Sequence, residues 1–436
     1  MASLGGESGQ AVRTAEAKAE RGGLPKILRE YWLTIVALTI VDLVLSYWLH
    51  GDILLFDKAH HFGDMVTYAD RFHNDYGTAA FFRVIRGKTD WTYPAPIAVL
   101  LHLYYKLPHP IVAWIVTLVI VVAVGTVLFA RAMERRGISR WTAWGFALTA
   151  AVTAYPVWYL VECANMEVYV LVFVGIGLAC YLRGQRGWAA VCFGIATALK
   201  ITPIIYCALL LNRRDWRKML YGLAVGAAVF FGSHWMMGPT TAVALEGTRD
   251  ALRLYTAHLV LGFRPHEVSF DHSLFGICKQ MYELLRIHFH WESLRLPVIY
   301  DVYLPVVALL GVGLWVFRIR KLSPLSQAVA ITVCAMLFTP VSWDYRLTHL
   351  YVPWMFVVLW VLEHPEVENK LLPGMFLFFA VLFTPQNYFR YRLMPAPDMG
   401  FFVDYAGQVR AVVLAALLVM VLWRPVGERQ IQNQNL

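Results

Sequence analysis

Asp64 lies in the segment FGDMVTYAD, four residues before Tyr68, so a helix there places both side chains on one face. A carboxylate in that position can act as a general base towards a hydroxyl. The structural alternative is a helix cap or a solvated loop aspartate. Lys200 has more than ten largely apolar residues on either side, with Pro203 close behind it. Such a lysine needs an anion or a water-filled cavity, and a phosphate near the membrane interface is its natural partner. Snorkelling to lipid headgroups is the alternative. Arg346 belongs to SWDYRLTH at 342–349. It can clamp a phosphate or simply pair with Asp344.

Other polar residues accompany these. Tyr93 opens YPAP at 93–96, a turn into a helix start. Asn165 and Glu167 begin an apolar block, where capping accounts for one of them. In DHSLFG at 271–276, Asp271 suits a helix N-cap and His272 suits it less well. His349 falls at the first turn of the next apolar block, and Asp70 and His266 fall on the same side. The histidines are dispersed. His60 and His61 are adjacent, and His288 and His290 are two apart, a poor arrangement for a metal, so no metal site is expected. No Walker A loop or GxGxxG motif points to a nucleotide, and no cofactor is expected. The six cysteines are scattered without CxxC spacing and read as buried small hydrophobes.

The elements that must position these residues are membrane helices. Of 436 residues, 59% are hydrophobic and only 15% are charged, against roughly 25% charged in soluble domains. The apolar residues form blocks suited to a hydrocarbon core of about 30 Å, where only helices satisfy their own backbone. The blocks are Trp32–Leu49, Ile111–Ala130, Trp141–Leu160, Val168–Leu182, Trp188–Asn212, Leu220–Met237, Val298–Phe317, Leu325–Thr339, Leu347–Leu362, Leu371–Thr384 and Ala411–Trp423. Pro203 breaks the Trp188–Asn212 block into two short helices around Lys200. Ile97–Leu107 is too short to span and reads as a re-entrant or interfacial helix. The fold class is thus an all-α polytopic membrane protein with about 12 crossings, counting the broken hairpin as two.

The net charge of +9 comes from short basic runs beside the apolar blocks, such as Arg213, Arg214, Arg217 and Lys218. That is a topology signal and excludes nucleic acid as a partner. It places the N-terminus in the cytoplasm and gathers the candidate residues on the outer face. Residues 1–25 read as a disordered cytoplasmic tail without a cleavable signal, 26–425 as one transmembrane domain, and 426–436 as a second cytoplasmic tail.

The order of these segments is informative: an Asp in the first outer loop, YPAP, the polar pair at 165–167, ALKITP at 198–203, DHSL at 271–274 and SWDYR at 342–346. It resembles the polyprenyl-phosphate-sugar-dependent glycosyltransferases of the GT-C superfamily, most closely glycosyltransferase family 87 with its α-1,2-mannosyltransferase-like members, over about residues 60 to 350. The resemblance implies an inverting transfer of mannose or another hexose or pentose. The sugar would pass from a polyprenyl-phosphate donor to a lipid or glycan acceptor hydroxyl. Asp64 would be the base, and Lys200 and Arg346 would hold the donor phosphate. Tyr68, Tyr93, Asn165, Glu167, His272, Asp344 and His349 would bind substrate or support the site. The family's Asn-Gln-Ser-Leu stands here as Asp271-His272-Ser273-Leu274, and its Ser-Trp-Asp-His-His as Ser342-Trp343-Asp344-Tyr345-Arg346. Arg can neutralise phosphate but cannot shuttle a proton. The expected setting is a monomer among membrane lipids in a bacterial inner membrane, with the site facing outward. A lipid or solute transporter, and a ligase using a diphosphate-linked lipid, are the competing readings.

Overall fold

The computed structural model describes residues 23–50, 62–82, 93–211, 215–262, 268, 270–290, 295–365, 369–384 and 406–427. His60, His61 and His266, and most of both terminal tails, lie outside the described residues. Among the described residues every regular element is helical, and one isolated β-bridge joins Asp271 to Trp343.

The α-helices are α1 Lys26–His50, α2 Gly63–Asn74, α3 Ala95–Tyr105, α4 Pro110–Glu134, α5 Arg140–Val152, α6 Tyr155–Cys163, α7 Glu167–Leu182 and α8 Arg186–Leu199. They continue as α9 Trp216–Met237, α10 Thr241–Tyr255, α11 Leu274–Phe289, α12 Leu296–Phe317, α13 Pro324–Leu337, α14 Tyr351–Glu363, α15 Leu372–Phe383 and α16 Ala406–Trp423. Each apolar block of the sequence is helical in its described residues, some in two pieces. By length and composition, five helical stretches among the described residues can cross a membrane, or six if the α5–α6 pair, bent by 44°, is one span. The other apolar blocks include helices of 10–17 residues. At about 1.5 Å per residue these fall short of a core of about 30 Å; the expected count of about 12 crossings includes them as well as the full-length spans.

The break expected at Lys200 is present. α8 stops at Leu199, Lys200 is extended (φ −155°, ψ 132°), and a 3₁₀ segment runs from Thr202 to Leu210. Pro203 in that first turn forbids a continuous α-helix. α8 is held by α9 through small residues. A Cβ on Gly194 would lie 1.9 Å from the Gly222 carbonyl oxygen, and one on Gly226 would lie 2.5 Å from the Gly194 carbonyl oxygen. Glycine lets the two backbones touch, as small residues do between membrane helices. That contact fixes the height at which α8 delivers Lys200.

α12 and α13 mark the two extremes of packing. α12 turns Val298, Val302, Val306, Leu309 and Val312 outward, as a lipid-facing helix does. In α13 every residue from Leu325 to Leu337 is buried. The polar side chains of α13 are satisfied inside the protein. Gln327 accepts from the Tyr181 hydroxyl and donates to the carbonyls of Arg320 (3.1 Å) and Leu322 (3.0 Å). Ser326 exchanges hydrogen bonds of 2.7 Å with both the carbonyl and the amide of Val426, just beyond α16. An aromatic cluster of Tyr31, Phe129, Phe146, Trp354 and Phe376 ties α1, α4, α5, α14 and α15 together at ring separations of 5.2–6.2 Å.

Candidate active site

The short helices and breaks converge on a cavity of about 550 Å³. Asp64, Tyr68, Tyr93, Asn165, Lys200 and Arg346 all line it. Six residues from five separate stretches of sequence therefore share one space. Leu252, Leu254 and Leu259, with Ile201, Pro340 and Val341, form its apolar wall, and Trp343, Tyr345, Tyr255 and His258 add rings.

Asp64 sits in the first turn of α2, half-buried. Its Oδ2 accepts from the Tyr93 hydroxyl at 2.7 Å and from the Asn165 side-chain amide at 2.6 Å. Among the described residues no donor reaches Oδ1. One oxygen is thus anchored while the other is left for the cavity. Burial pushes the Asp64 carboxyl above the usual carboxylate range, against the lowering effect of the Tyr93 and Asn165 hydrogen bonds and the charge of Lys200. Burial and the neighbouring Asp64 charge raise the Tyr93 phenol well above its ordinary value, so it remains a donor.

Unusual backbone geometry aims this group. Phe62 (φ 54°) precedes Gly63 and Asp64, and Ala164 (φ 50°) precedes Asn165. A left-handed conformation costs a non-glycine residue roughly 1–2 kcal/mol, so the surroundings must enforce it. The Phe62 amide donates to the Glu162 carbonyl at 2.7 Å, and the Glu167 amide donates to Asn165 Oδ1 at 2.8 Å. The start of α2 and the α6–α7 corner are therefore locked to each other at the point where Asp64 meets Asn165. Met166 is the N-cap of α7 and makes no side-chain cap bond, so Asn165, one residue earlier, serves the first amide of the helix without being its cap.

Lys200 and Arg346 carry the positive charge of the cavity. Lys200 pairs with Glu167 at the start of α7, and its ammonium sits 4.8 Å from the Tyr345 ring centroid. Glu167 also meets His349, with Nε2 3.0 Å from Oε1. Arg346 Nη1 donates to Thr339 Oγ1 (3.1 Å) and to the Val341 carbonyl (2.7 Å). Its Nε is buried with no partner among the described residues.

Of the residues expected to bind substrate or support the site, Glu167 and His349 do not line the cavity but stand behind Lys200. Asp344 and His272 do not reach it either. Asp344 does not pair with Arg346, because both lie on the 3₁₀ turn 344–350, where residues two apart point roughly 120° apart. Asp344 instead takes Arg410 of α16, the Tyr155 hydroxyl at 2.8 Å and His272 Nδ1 at 3.3 Å. Asp271 is not the cap of α11. Ser273 caps it, accepting from the Gly276 amide at 2.8 Å, while Asp271 Oδ1 accepts from the amides of Ser273 (3.0 Å) and Ser342 (2.9 Å). The sequence reading passed over Arg410 altogether. Its signal is a lone arginine at the head of an apolar block, a place where a charge is costly unless paired.

Among the described residues no group of histidine, cysteine and carboxylate side chains could hold a metal ion. The arrangement instead offers one carboxylate with a free oxygen facing a cavity that also contains two cations. That set can deprotonate a hydroxyl and stabilise an anionic leaving group.

A family model described as Glycosyltransferase family 87 matches residues 91–342. Tyr93, Asn165, Glu167, Lys200 and His272 lie inside the matched stretch, which is shorter than the resemblance read from the motifs. Asp64, Asp344, Arg346 and His349 lie outside it. No curated protein and no solved structure matches significantly.

Proposed function

We propose that this chain, which belongs to glycosyltransferase family 87 and is a multi-pass membrane glycosyltransferase, moves a sugar from a polyprenyl-phosphate donor to a hydroxyl of a lipid or glycan acceptor. The observation that carries this reading is the shared cavity, with an anchored carboxylate and two cations among its lining residues. The acceptor oxygen attacks the anomeric carbon from the face opposite the phosphate. The bond from that carbon to the phosphate oxygen breaks, and its electron pair leaves with the phosphate. The acceptor proton passes to Asp64 Oδ1. The anomeric centre inverts because attack and departure are on opposite faces.

The donor phosphodiester carries one negative charge, and the departing lipid monophosphate gains another. Lys200 and Arg346 both hold the phosphate as the donor binds, and Lys200 stabilises the charge that develops on it, the kind of effect that usually dominates catalysis. Glu167 and His349 hold Lys200 from behind. Tyr93 and Asn165 orient Asp64, and Tyr68 packs edge-on against Tyr93 at 5.9 Å between ring centroids. The apolar wall suits the lipid carried by the donor. The basic runs of the sequence, read by the positive-inside rule, favour a site on the extracytoplasmic face of the cell membrane. The sugar class, mannose first, follows the family resemblance.

Asp64→Asn tests the reading. The side chain keeps its shape and one acceptor oxygen, but it loses its basicity. Transfer from a synthetic polyprenyl-phosphate sugar by the purified protein is expected to fall about 10²–10⁴-fold, with thermal unfolding unchanged. Full transfer by the variant would sink the role given to Asp64.

A further inference from the structure

Arg410 and Asp344 form an ion pair whose side chains are 1% and 0% exposed. The pair lies beside the cavity without lining it. A sealed pair of this kind is a poor source of stability compared with apolar packing, because both charges must be stripped of water. What it supplies is directional. Asp344 Oδ2 also accepts from the Tyr155 hydroxyl at 2.8 Å, and the Arg410 guanidinium lies 4.9 Å from the Tyr155 ring centroid. Asp344 Oδ1 faces His272 Nδ1 at 3.3 Å, and the other nitrogen of His272 meets Ser342 Oγ at 2.9 Å. The His272 amide donates to the Ser342 carbonyl, and the Ser342 amide donates to Asp271, each at 2.9 Å.

The chain from Thr339 to Arg346 is thus gripped by α6, by residues 271–273 and by α16. On its other side this chain presents Thr339, Trp343, Tyr345 and Arg346 to the cavity. The unpartnered Nε of Arg346 has a fixed direction only if this turn is fixed. The geometry points to Arg410 as a positioning residue: through Asp344 it sets where the Arg346 guanidinium meets the phosphate of the donor. A residue of α16, outside the stretch matched by the family model, thereby governs donor affinity without touching donor. This inference rests on the phosphate role given to Arg346 above.

The test compares donor KM and kcat across a set of purified variants. The paired variant Asp344→Asn/Arg410→Met removes both charges together, so no lone buried charge is left to unfold the protein. We expect it to melt near the parent and to raise donor KM about tenfold, with kcat changed less. Arg346→Met alone should raise KM by a similar factor. Adding the paired change to Arg346→Met should then add less than about twofold, because coupled residues are not additive. A parental KM in the paired variant overturns the inference, and so do KM effects that multiply in the Arg346→Met background. Tyr155→Phe, which removes one hydroxyl, covers the case in which the paired variant fails to fold. A KM rise of about twofold to fivefold supports positioning, and an unchanged KM overturns it. If Arg346→Met itself leaves donor KM unchanged, the phosphate role fails, an outcome separate from failure of the positioning role alone.

Discussion

Two buried ion pairs stand at the cavity and differ in what lies beyond them. Lys200 pairs with Glu167 but keeps 18% of its side chain exposed and lines the cavity. Arg410 pairs with Asp344 and neither side chain is more than 1% exposed. The first pair is open on one side, so a charged ligand can compete for the lysine. The second is closed, so its charges can serve only the protein. The same chemistry in two degrees of enclosure therefore divides into a group that meets substrate and a group that holds the frame.

Substitution should separate the two pairs. Arg410→Leu leaves Asp344 charged and enclosed, and should cost about 3–5 kcal/mol of stability, visible as early thermal unfolding in detergent. A variant that melts with the parent would mean that the closed pair bears no structural burden. Lys200→Met leaves Glu167 buried, with His349 still beside it as a partner. Its transfer efficiency, kcat/KM, should fall about 10²–10³-fold, with a smaller loss of stability than Arg410→Leu shows. A large loss of stability there would erase the distinction between the pairs.

The smallest effect tests the acceptor end. Tyr93 donates to the ionised form of Asp64 and so lowers its pKa. Tyr93→Phe removes that donor and raises the Asp64 pKa further. A base works only when deprotonated, so activity is lost as pH falls through its pKa, and this acid limb should move to higher pH by up to about one unit. A limb that stays in place, or moves down, would dissociate Tyr93 from the protonation of Asp64.

Much of this was legible in the sequence. Hydropathy and the proline at 203 located the break that exposes Lys200, because both act locally. Topology and motif order brought Asp64, Tyr93, Asn165, Lys200 and Arg346 to one place. The less legible part was depth. Asp344, His272, Glu167 and His349 were expected to bind substrate or support the site, without a choice between the two, and they stand one layer back from the cavity. Position along a chain gives the side of a membrane and does not give which face of a 3₁₀ turn points inward. Arg410 was invisible for a related reason. Its partner lies 66 residues away, and no periodicity links an arginine on one helix to a turn before another. The strained Phe62 and Ala164 carry no signal either, since neither residue type favours a positive φ.

The complete enclosure of α13 bears on how the protein is made. This apolar helix, buried on every side, carries Ser326, Gln327 and Thr332, whose polar side chains are poorly suited to lipid tails. Part of its cover is α16, which packs on it, and Val426 just beyond α16 satisfies Ser326. During synthesis α13 leaves the ribosome well before α16 does, so the middle of the molecule is completed by a late arrival. Until then its polar side chains must be sheltered by its earlier neighbours or by the insertion machinery. Nascent chains halted before residue 406 are thus expected to be substrates for membrane quality control, even though every group proposed to touch donor or acceptor has already been synthesised.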